Sequence, residues 1–472
     1  MVIFNNTNYN EEASKRLANY ICQSAIENNV SMIGFFLDRS PELLYIIKAF
    51  LDNKITFIPI DPTLPKEYVE HIIRDSEVEI VITLEKYKNR FWGIKTIIVD
   101  NIRSHKRDSP LETVETDVAY VLYTSGSTGV PKSVEITRNS LINFVEGISD
   151  VIDFSVGKRI ACLTTMSFDI FFLESVVALY KGLTVVLANE NEQHNPRLMT
   201  KLIQDNEVDM IQMTPSRMQL LLNHDKELSC LKNVKEIMLG GEQFPVNLLR
   251  ILQKKTTAKI YNMYGPTEAT IWSSVSDLTN KENVDIGRPI MNTEIYIVDE
   301  NLVILPYGQV GEICIAGEGL AKGYVGRNDL TAEKFMNLPQ NRCIKVFRTG
   351  DFGRYLEAGN LEYLGRIDNQ VKIRGYRIEL EEIEQHLNQF KGIKQSVVVV
   401  TETNEVDKIL EAFYTSDESI DSWSIANFLF SKLPSYMIVS ELQKRSLKPD
   451  QYSFADLNML KLTFLPVSLL WL

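Results

Sequence analysis

Short apolar runs alternate with helix-spaced apolar positions through the first half of the chain. Runs at 33–37, 55–60 and 78–83 predict strands, and 43–51 and 66–74 predict the helices between them. Strand–helix–strand alternation with short connections implies parallel pairing and right-handed crossovers. The rhythm continues through strands at 118–124, 160–164, 183–188, 210–213, 237–239 and 260–263, with helices at 141–148 and 247–253. From about 283 to 365 the pattern changes to hairpin-like strands, as in TEIYIVDENLVILPYGQVGEICIAG, with no good helix between them.

A further unit is expected from Asp368, with a strand at 370–374, an amphipathic helix at 379–390, strands at 396–400 and 410–414, and a helix at 422–432. At about 70 residues it would be marginal alone. The expected fold is α/β: a large domain of doubly wound sheets over 1–367 whose part at about 283–365 is β-barrel-like. A small α+β domain over 368–438 and a divergent tail over 439–472 follow it.

Composition adds mainly exclusions. The formal net charge of −12 opposes binding to a phosphate backbone, so no nucleic-acid partner is expected. Five scattered cysteines (Cys22, Cys162, Cys230, Cys314, Cys343) form no CxxC pair, which points to a reducing compartment without structural zinc. No basic segment leads into an apolar one at the N-terminus and no apolar run reaches membrane-spanning length, so a cytoplasmic protein with no membrane partner is expected.

The richest chemistry lies in Leu122-Tyr123-Thr124-Ser125-Gly126-Ser127-Thr128-Gly129-Val130-Pro131-Lys132. The segment follows an apolar strand and precedes a helix, where α/β proteins place phosphate loops. Its glycines let backbone N–H groups approach an anion, and the hydroxyls and ammonium add donors. The Walker A spacing is not met. A Ser/Thr/Gly-rich surface turn is the plain alternative.

Further motifs follow in order: Asn262-Met263-Tyr264-Gly265-Pro266-Thr267-Glu268, then Phe347-Arg348-Thr349-Gly350-Asp351, then Gly365-Arg366-Ile367-Asp368 with QVKIRG. NYNEEASKRLANYI, IPIDPTLP and GEICIAGEGLAKGYVGRNDLTAEKF accompany them. Together these closely resemble the ordered motifs of the adenylate-forming, AMP-binding superfamily, and specifically the amino-acid adenylation domains of nonribosomal peptide synthetases. The resemblance runs from about Asn8 to Met437.

The resemblance implies ATP and Mg²⁺ as cofactors and assigns roles. Thr124, Ser125, Gly126, Ser127, Thr128, Gly129 and Lys132 would hold the β- and γ-phosphates. Tyr264 would stack on adenine, with Asn262 near its amino edge and Gly241, Gly265 and Thr267 also at the nucleotide. Glu268 would be a magnesium ligand, and Asp351 would accept from the ribose hydroxyls. Arg366 would contact ribose and phosphate, Asp368 would be a hinge, and Lys132, Glu268 and Arg366 would be catalytic. A carrier protein bearing phosphopantetheine is implied as partner. Since no carrier segment is legible, it is expected on another chain.

The resemblance also places an aspartate opposite the α-ammonium of an amino acid, here Asp169 in Ser167-Phe168-Asp169. Capping of the following helix is that residue's plain role. The remaining pocket positions are Ile170, Leu173, Gln212, Met238, Gly240, Met263, Ile271 and Trp272, a set resembling that of glycine-activating domains. Bulky Trp272, Leu173, Met238 and Met263 would fill the space of a side chain. Singly, each is ordinary core.

Two departures qualify this. Ser133 stands where the motif has glycine. Beyond LPSYMI the family's NGK motif is missing: Ala455 falls about where its lysine belongs, and Lys448 and Lys461 are out of register. A frame change or truncation is expected to explain the tail, whose residues beyond 438 lack a docking pattern. An impaired nucleotide-binding remnant and an acyl-CoA ligase are therefore the alternatives to an active amino-acid adenylating enzyme.

Overall fold

Two parallel-centred sheets form the frame of this computed structural model, which describes residues 1–9, 18–24, 30, 32–101, 116–126, 130–402 and 408–444. Among the described residues, the larger sheet has nine strands in the order Arg288–Pro289, Ser274–Asp277, Lys259–Tyr264, Glu236–Gly240, Met210–Met213, Arg159–Cys162, Thr184–Leu187, Val2–Phe4, Thr7–Tyr9. Its pairings from Lys259–Tyr264 across to Val2–Phe4 are parallel, with Gln212 beside Met238 and Gly240 beside Met263. Antiparallel strands close both edges. The second sheet has seven strands: Gly323–Tyr324, Lys132–Thr137, Val118–Thr124, Thr56–Pro59, Met32–Phe36, Ile80–Thr83 and Lys95–Ile98.

The central strands are buried on both faces, as in Thr184–Leu187 and Met210–Met213, which is why they read as mainly apolar runs, Gln212 being the polar exception in the second. Helices such as Pro41–Asp52, capped by Ser40, and Arg138–Val151, capped by Thr137, supply the covering layers.

A third sheet of five strands is antiparallel: Thr293–Val298, Gly311–Gly317, Asn341–Tyr355, Phe335–Leu338, with Leu361–Arg366 on the long third strand. The fold class is thus the expected α/β one, with two corrections inside 283–365. A seven-residue helix, Asn328–Lys334, interrupts the strands. The short strands Arg288–Pro289 and Gly323–Tyr324 leave this segment to join the two large sheets.

The chain divides into two compact units. The first comprises Met1–Pro62, Ile73–Tyr123 and Ser133–Ile367; the second comprises Thr63–Ile72, Thr124–Lys132 and Asp368–Leu472. In the second unit, Gln370–Ile373 and Tyr376–Glu379 form a hairpin about Gly375, whose φ is +81°. Helices Leu380–Gln389 and Ser422–Lys432 accompany strands Gln395–Glu402 and Lys408–Thr415. Ile378, Ile383, Leu387, Ile425 and Leu429 lie in its core.

The expectation of an undocked end beyond 438 needs correction as far as Lys444. Glu441–Lys444 pairs in parallel with Lys408–Thr415, Leu442 opposite Ala412. Ala455, Lys448 and Lys461 lie outside the described residues. No helix among the described residues is long and apolar enough to cross a membrane.

Candidate functional site

In the first unit, the assigned pocket residues converge at the carboxyl ends of the larger sheet's strands. Gln212, Gly240 and Met263 lie on adjacent strands, the position where open α/β sheets bind ligands. Leu173, Gln212, Met238, Met263, Ile271 and Trp272 are buried and Ile170 half-buried.

Close approach shapes this cluster. A Cβ on Gly240 would sit 2.5 Å from the Met263 carbonyl oxygen and 2.7 Å from Trp272 Cη2. A Cβ on Gly265 would meet the Ile271 carbonyl oxygen at 2.6 Å. Thr270 and Ile271 adopt φ of +58° and +68°, a left-handed conformation unusual for β-branched residues. Backbone strain of this kind costs about 1–3 kcal/mol per residue and clusters at ligand sites.

Asp169 is buried, and its carboxylate accepts from the Ile170 N–H at 2.8 Å, so the capping role is present. It also bears on Tyr120. Burial above all, and then the Asp169 charge, pushes the Tyr120 phenol well above its usual range. The Tyr120 hydroxyl has no hydrogen-bond partner among the described residues, and its ring stacks on Phe172 at 4.2 Å.

The helix after Asp169 is not uniform. Ile170–Phe172 is α-helical and Leu173–Val177 widens into a π turn, a feature common at functional sites. The turn carries Glu174, fully buried in an otherwise apolar run. Sequence reasoning missed this residue; a lone carboxylate inside IFFLESVVAL was the available signal.

The nucleotide residues of the first unit form a second group. Tyr264 donates to Asp351 Oδ2 at 2.6 Å, and Arg366 Nη1 donates to Asp351 Oδ1 at 2.7 Å. Arg366 Nη2 also reaches the Thr349 carbonyl at 3.2 Å. Burial, followed by the Asp351 charge, holds the Tyr264 phenol well above its ordinary value. Tyr264 belongs to a buried apolar cluster that includes Ile286, Ile295, Ile313 and Leu361. Asn262 donates to the Asp285 carbonyl at 2.8 Å. Gly241 has φ of +82°, and Thr267 opens the short turn Thr267–Ala269.

Glu268 is fully buried and accepts from the Tyr324 hydroxyl at 2.8 Å. No group of three or more His, Cys, Asp or Glu suited to a metal occurs among the described residues. As a single hard oxygen donor, the Glu268 carboxylate fits a magnesium ion held otherwise by nucleotide phosphates and water. Asp351 likewise fits a ribose, since each carboxylate oxygen has a second acceptor site beyond its present donor.

In the second unit, Ser125 Oγ donates to the Arg377 carbonyl at 2.8 Å, and the Gly126 N–H donates to Glu382 Oε2 at 3.2 Å. Lys132 Nζ lies 3.9 Å from Glu379 Oε1. Thr124 Oγ1 reaches the Lys132 carbonyl at 3.5 Å. Two carboxylates thus stand against the loop's donors, neither of them singled out by the sequence. Burial pushes the Glu382 carboxyl up to about 8, with Glu379 adding to the shift while the Gly126 N–H and Lys132 oppose it. Ser127, Thr128 and Gly129 lie outside the described residues. Asp368 is exposed and accepts from the Gln370 N–H at 3.3 Å. Ser133, in the first unit, is buried and donates to Asp75 Oδ2 at 3.3 Å, so it anchors the strand that leaves the loop.

Residues 8–325 match the family described as AMP-binding enzyme. A dimodular nonribosomal peptide synthase of Bacillus subtilis (strain 168) is 35% identical over 458 residues, 93% of this chain and 19% of the relative. Tyrocidine synthase 1 of Brevibacillus parabrevis is 32% identical, covering 95% of this chain and 42% of the relative. The chain therefore spans less than half the length of these relatives. Among solved structures, holo-AB3403, a four-domain nonribosomal peptide synthetase bound to AMP and glycine, is 29% identical. Its TM-score is 0.69, over 92% of this chain and 33% of that one. Holo-PA1221, containing adenylation and PCP domains, is 25% identical with a TM-score of 0.82, over 93% of this chain and 76% of that one.

Proposed function

The chain belongs to the family of AMP-binding enzymes, and on that premise we propose that it activates glycine as glycyl-AMP for transfer to the phosphopantetheine thiol of a carrier protein. The observation that carries the reading is that bulky Trp272 and Met263 are buried and close-packed at Gly240, where an added Cβ would lie 2.7 Å from the one and 2.5 Å from the other. Bulky residues that fill the place of a substrate side chain would exclude it more strongly than a missing contact could. The glycine bound to holo-AB3403 supports the same choice.

In the proposed reaction a glycine carboxylate oxygen attacks the α-phosphorus of ATP. The bond from that phosphorus to the bridging oxygen breaks, and pyrophosphate leaves with the electron pair. The protein's work is positioning and charge neutralisation. Asp169 would pair with the glycine ammonium. Tyr264 would bear on adenine, and Asp351 would accept from the ribose. Arg366 would meet the developing phosphate charge, while Thr124, Ser125, Gly126 and Lys132 would take the outer phosphates. Magnesium would offset phosphate charge when bound, with Glu268 as the carboxylate that faces it.

Amino-acid-dependent ATP–pyrophosphate exchange tests this. Exchange stimulated by glycine above all other common amino acids is expected. A larger amino acid that drives it better would overturn the glycine assignment. ATP binding without exchange would favour a nucleotide-binding protein impaired in turnover, and thioester formation with free coenzyme A would favour a CoA ligase.

A further inference from the structure

We propose that Glu174 is a positioning residue that sets the glycine pocket by fixing the orientation of Gln212 and, through it, the indole of Trp272. The inference rests on the glycine reading above and names a determinant outside the pocket set that the sequence resemblance supplied.

The Glu174 carboxylate accepts four hydrogen bonds in a fully buried site. Oε2 takes the Leu163 and Thr164 N–H groups at 2.7 and 2.8 Å. Oε1 takes the Thr164 hydroxyl at 2.6 Å and Gln212 Nε2 at 3.0 Å. Gln212 Nε2 also donates to the Ile170 carbonyl at 3.1 Å, and Gln212 Oε1 accepts from Trp272 Nε1 at 2.9 Å.

The chain of donors runs in one direction only. Both Glu174 oxygens already accept from donors, a carbonyl can only accept, and an indole N–H can only donate. Gln212 therefore has a single satisfied orientation, amide nitrogen toward Glu174 and oxygen toward Trp272. The indole so held is the one that stands 2.7 Å from the position of a Cβ on Gly240. Glu174 thus acts on the pocket wall through one intervening amide.

Glu174→Gln tests this role, since the Thr164 hydroxyl at Oε1 can turn from donor to acceptor while Gln212 Nε2 cannot. The variant's amide oxygen can still accept the two backbone N–H groups at Oε2, while its NH₂ faces Gln212 Nε2, donor against donor. Turning Gln212 over moves the conflict to the indole N–H and to the Ile170 carbonyl. A buried donor deprived of its acceptor costs about ten- to hundredfold in the equilibrium that holds the indole in place. The expected result is a rise of up to that size in the KM for glycine, a lower glycine-to-alanine ratio of kcat/KM, and an unchanged KM for ATP. In protein labelled with ¹⁵N-indole tryptophan, the Trp272 N–H resonance, assigned by Trp272→Phe, should shift and exchange faster with solvent.

The exchange variant Glu174→Gln/Gln212→Glu restores an acceptor under the indole and a donor opposite it, so part of the selectivity should return. An unmoved Trp272 resonance together with an unmoved glycine-to-alanine ratio in Glu174→Gln overturns the proposal. If that variant does not fold while the exchange variant does, the polarity of the pair is what matters and the proposal stands. If neither folds, Glu174 is a framework residue and the proposal falls. A wild-type chain without glycine-dependent exchange defeats the functional reading alone; the resonance still decides for or against the Glu174 relay.

Discussion

Tyr264 and Asp351 meet across 2.6 Å, the phenolic hydrogen directed to a carboxylate oxygen with both side chains buried. They stand on strands of different sheets, Lys259–Tyr264 and Asn341–Tyr355, so the contact ties the five-stranded sheet to the nine-stranded one. Arg366 holds the other carboxylate oxygen at 2.7 Å. The acceptor assigned to a ribose is therefore already oriented by two donors.

Tyr264→Phe should raise the KM for ATP and cost about 1–3 kcal/mol of stability, the range for leaving a buried acceptor short of one donor. Asp351→Asn should cost more, about 3–5 kcal/mol, because it removes the carboxylate charge that faces Arg366 at 2.7 Å. Urea denaturation of both single variants and the double variant measures the coupling. Additive effects would show that the hydrogen bond contributes nothing beyond its two separate side chains.

Glu382 gives the second unit a pH dependence of predictable sign. Its carboxyl is raised from 4.5 to about 8, chiefly by burial. Between those values the folded state binds more protons than the unfolded one, so stability falls as pH rises and levels off above about 8. The groups facing it are Glu379, Lys132 and the Gly126 N–H. Glu382→Gln removes the titration, so its unfolding midpoint should match wild type near pH 5 and exceed it near pH 8.5. Equal pH slopes for the two proteins in thermal melts would refute the assignment.

Gly240→Ala should be damaging although the change is a single methyl group. The new carbon would lie 2.5 Å from a backbone oxygen, which cannot swing aside as a flexible side-chain end can. Overpacking of this kind costs about 1–3 kcal/mol. Chemical denaturation should show that loss, with glycine-dependent exchange reduced in parallel. Wild-type stability with intact exchange would mean that the Met263 strand moves freely, contrary to the tight parallel pairing of Gly240 with Met263.

The legibility of the molecule from its sequence followed the physics of each element. Val118–Thr124 is a largely buried strand whose apolar run marks its own ends. Arg288–Pro289 and Gly323–Tyr324 are two-residue pairings, too short to carry a period. Glu441–Lys444 reads ELQK, with no alternation, because it is an edge strand held by backbone pairing to Lys408–Thr415. The residues assigned to the pocket came from the family resemblance, and the fold places three of them, Gln212, Gly240 and Met263, on adjacent strands. Glu174 was not legible, because its meaning lies in partners at Leu163, Thr164 and Gln212 that only folding brings together.

Trp272 offers the most direct test of what the pocket excludes. Its ring is buried, borders Gly240, and gives its only N–H to Gln212. Trp272→Ala removes the ring, so the site gains room where a substrate side chain would project. Truncation of a buried tryptophan costs about 3–5 kcal/mol, so the variant must be assayed at a temperature where it remains folded. A hydrophobic pocket distinguishes one methylene by about 10- to 200-fold. Opening it should therefore lower the preference for glycine over alanine by at least about tenfold, and exchange with serine should become measurable. Loss of stability without any broadening of substrate range would place Trp272 in the core alone. The exclusion of side chains would then have to come from Leu173, Met238 and Met263, which are equally buried around the same strands.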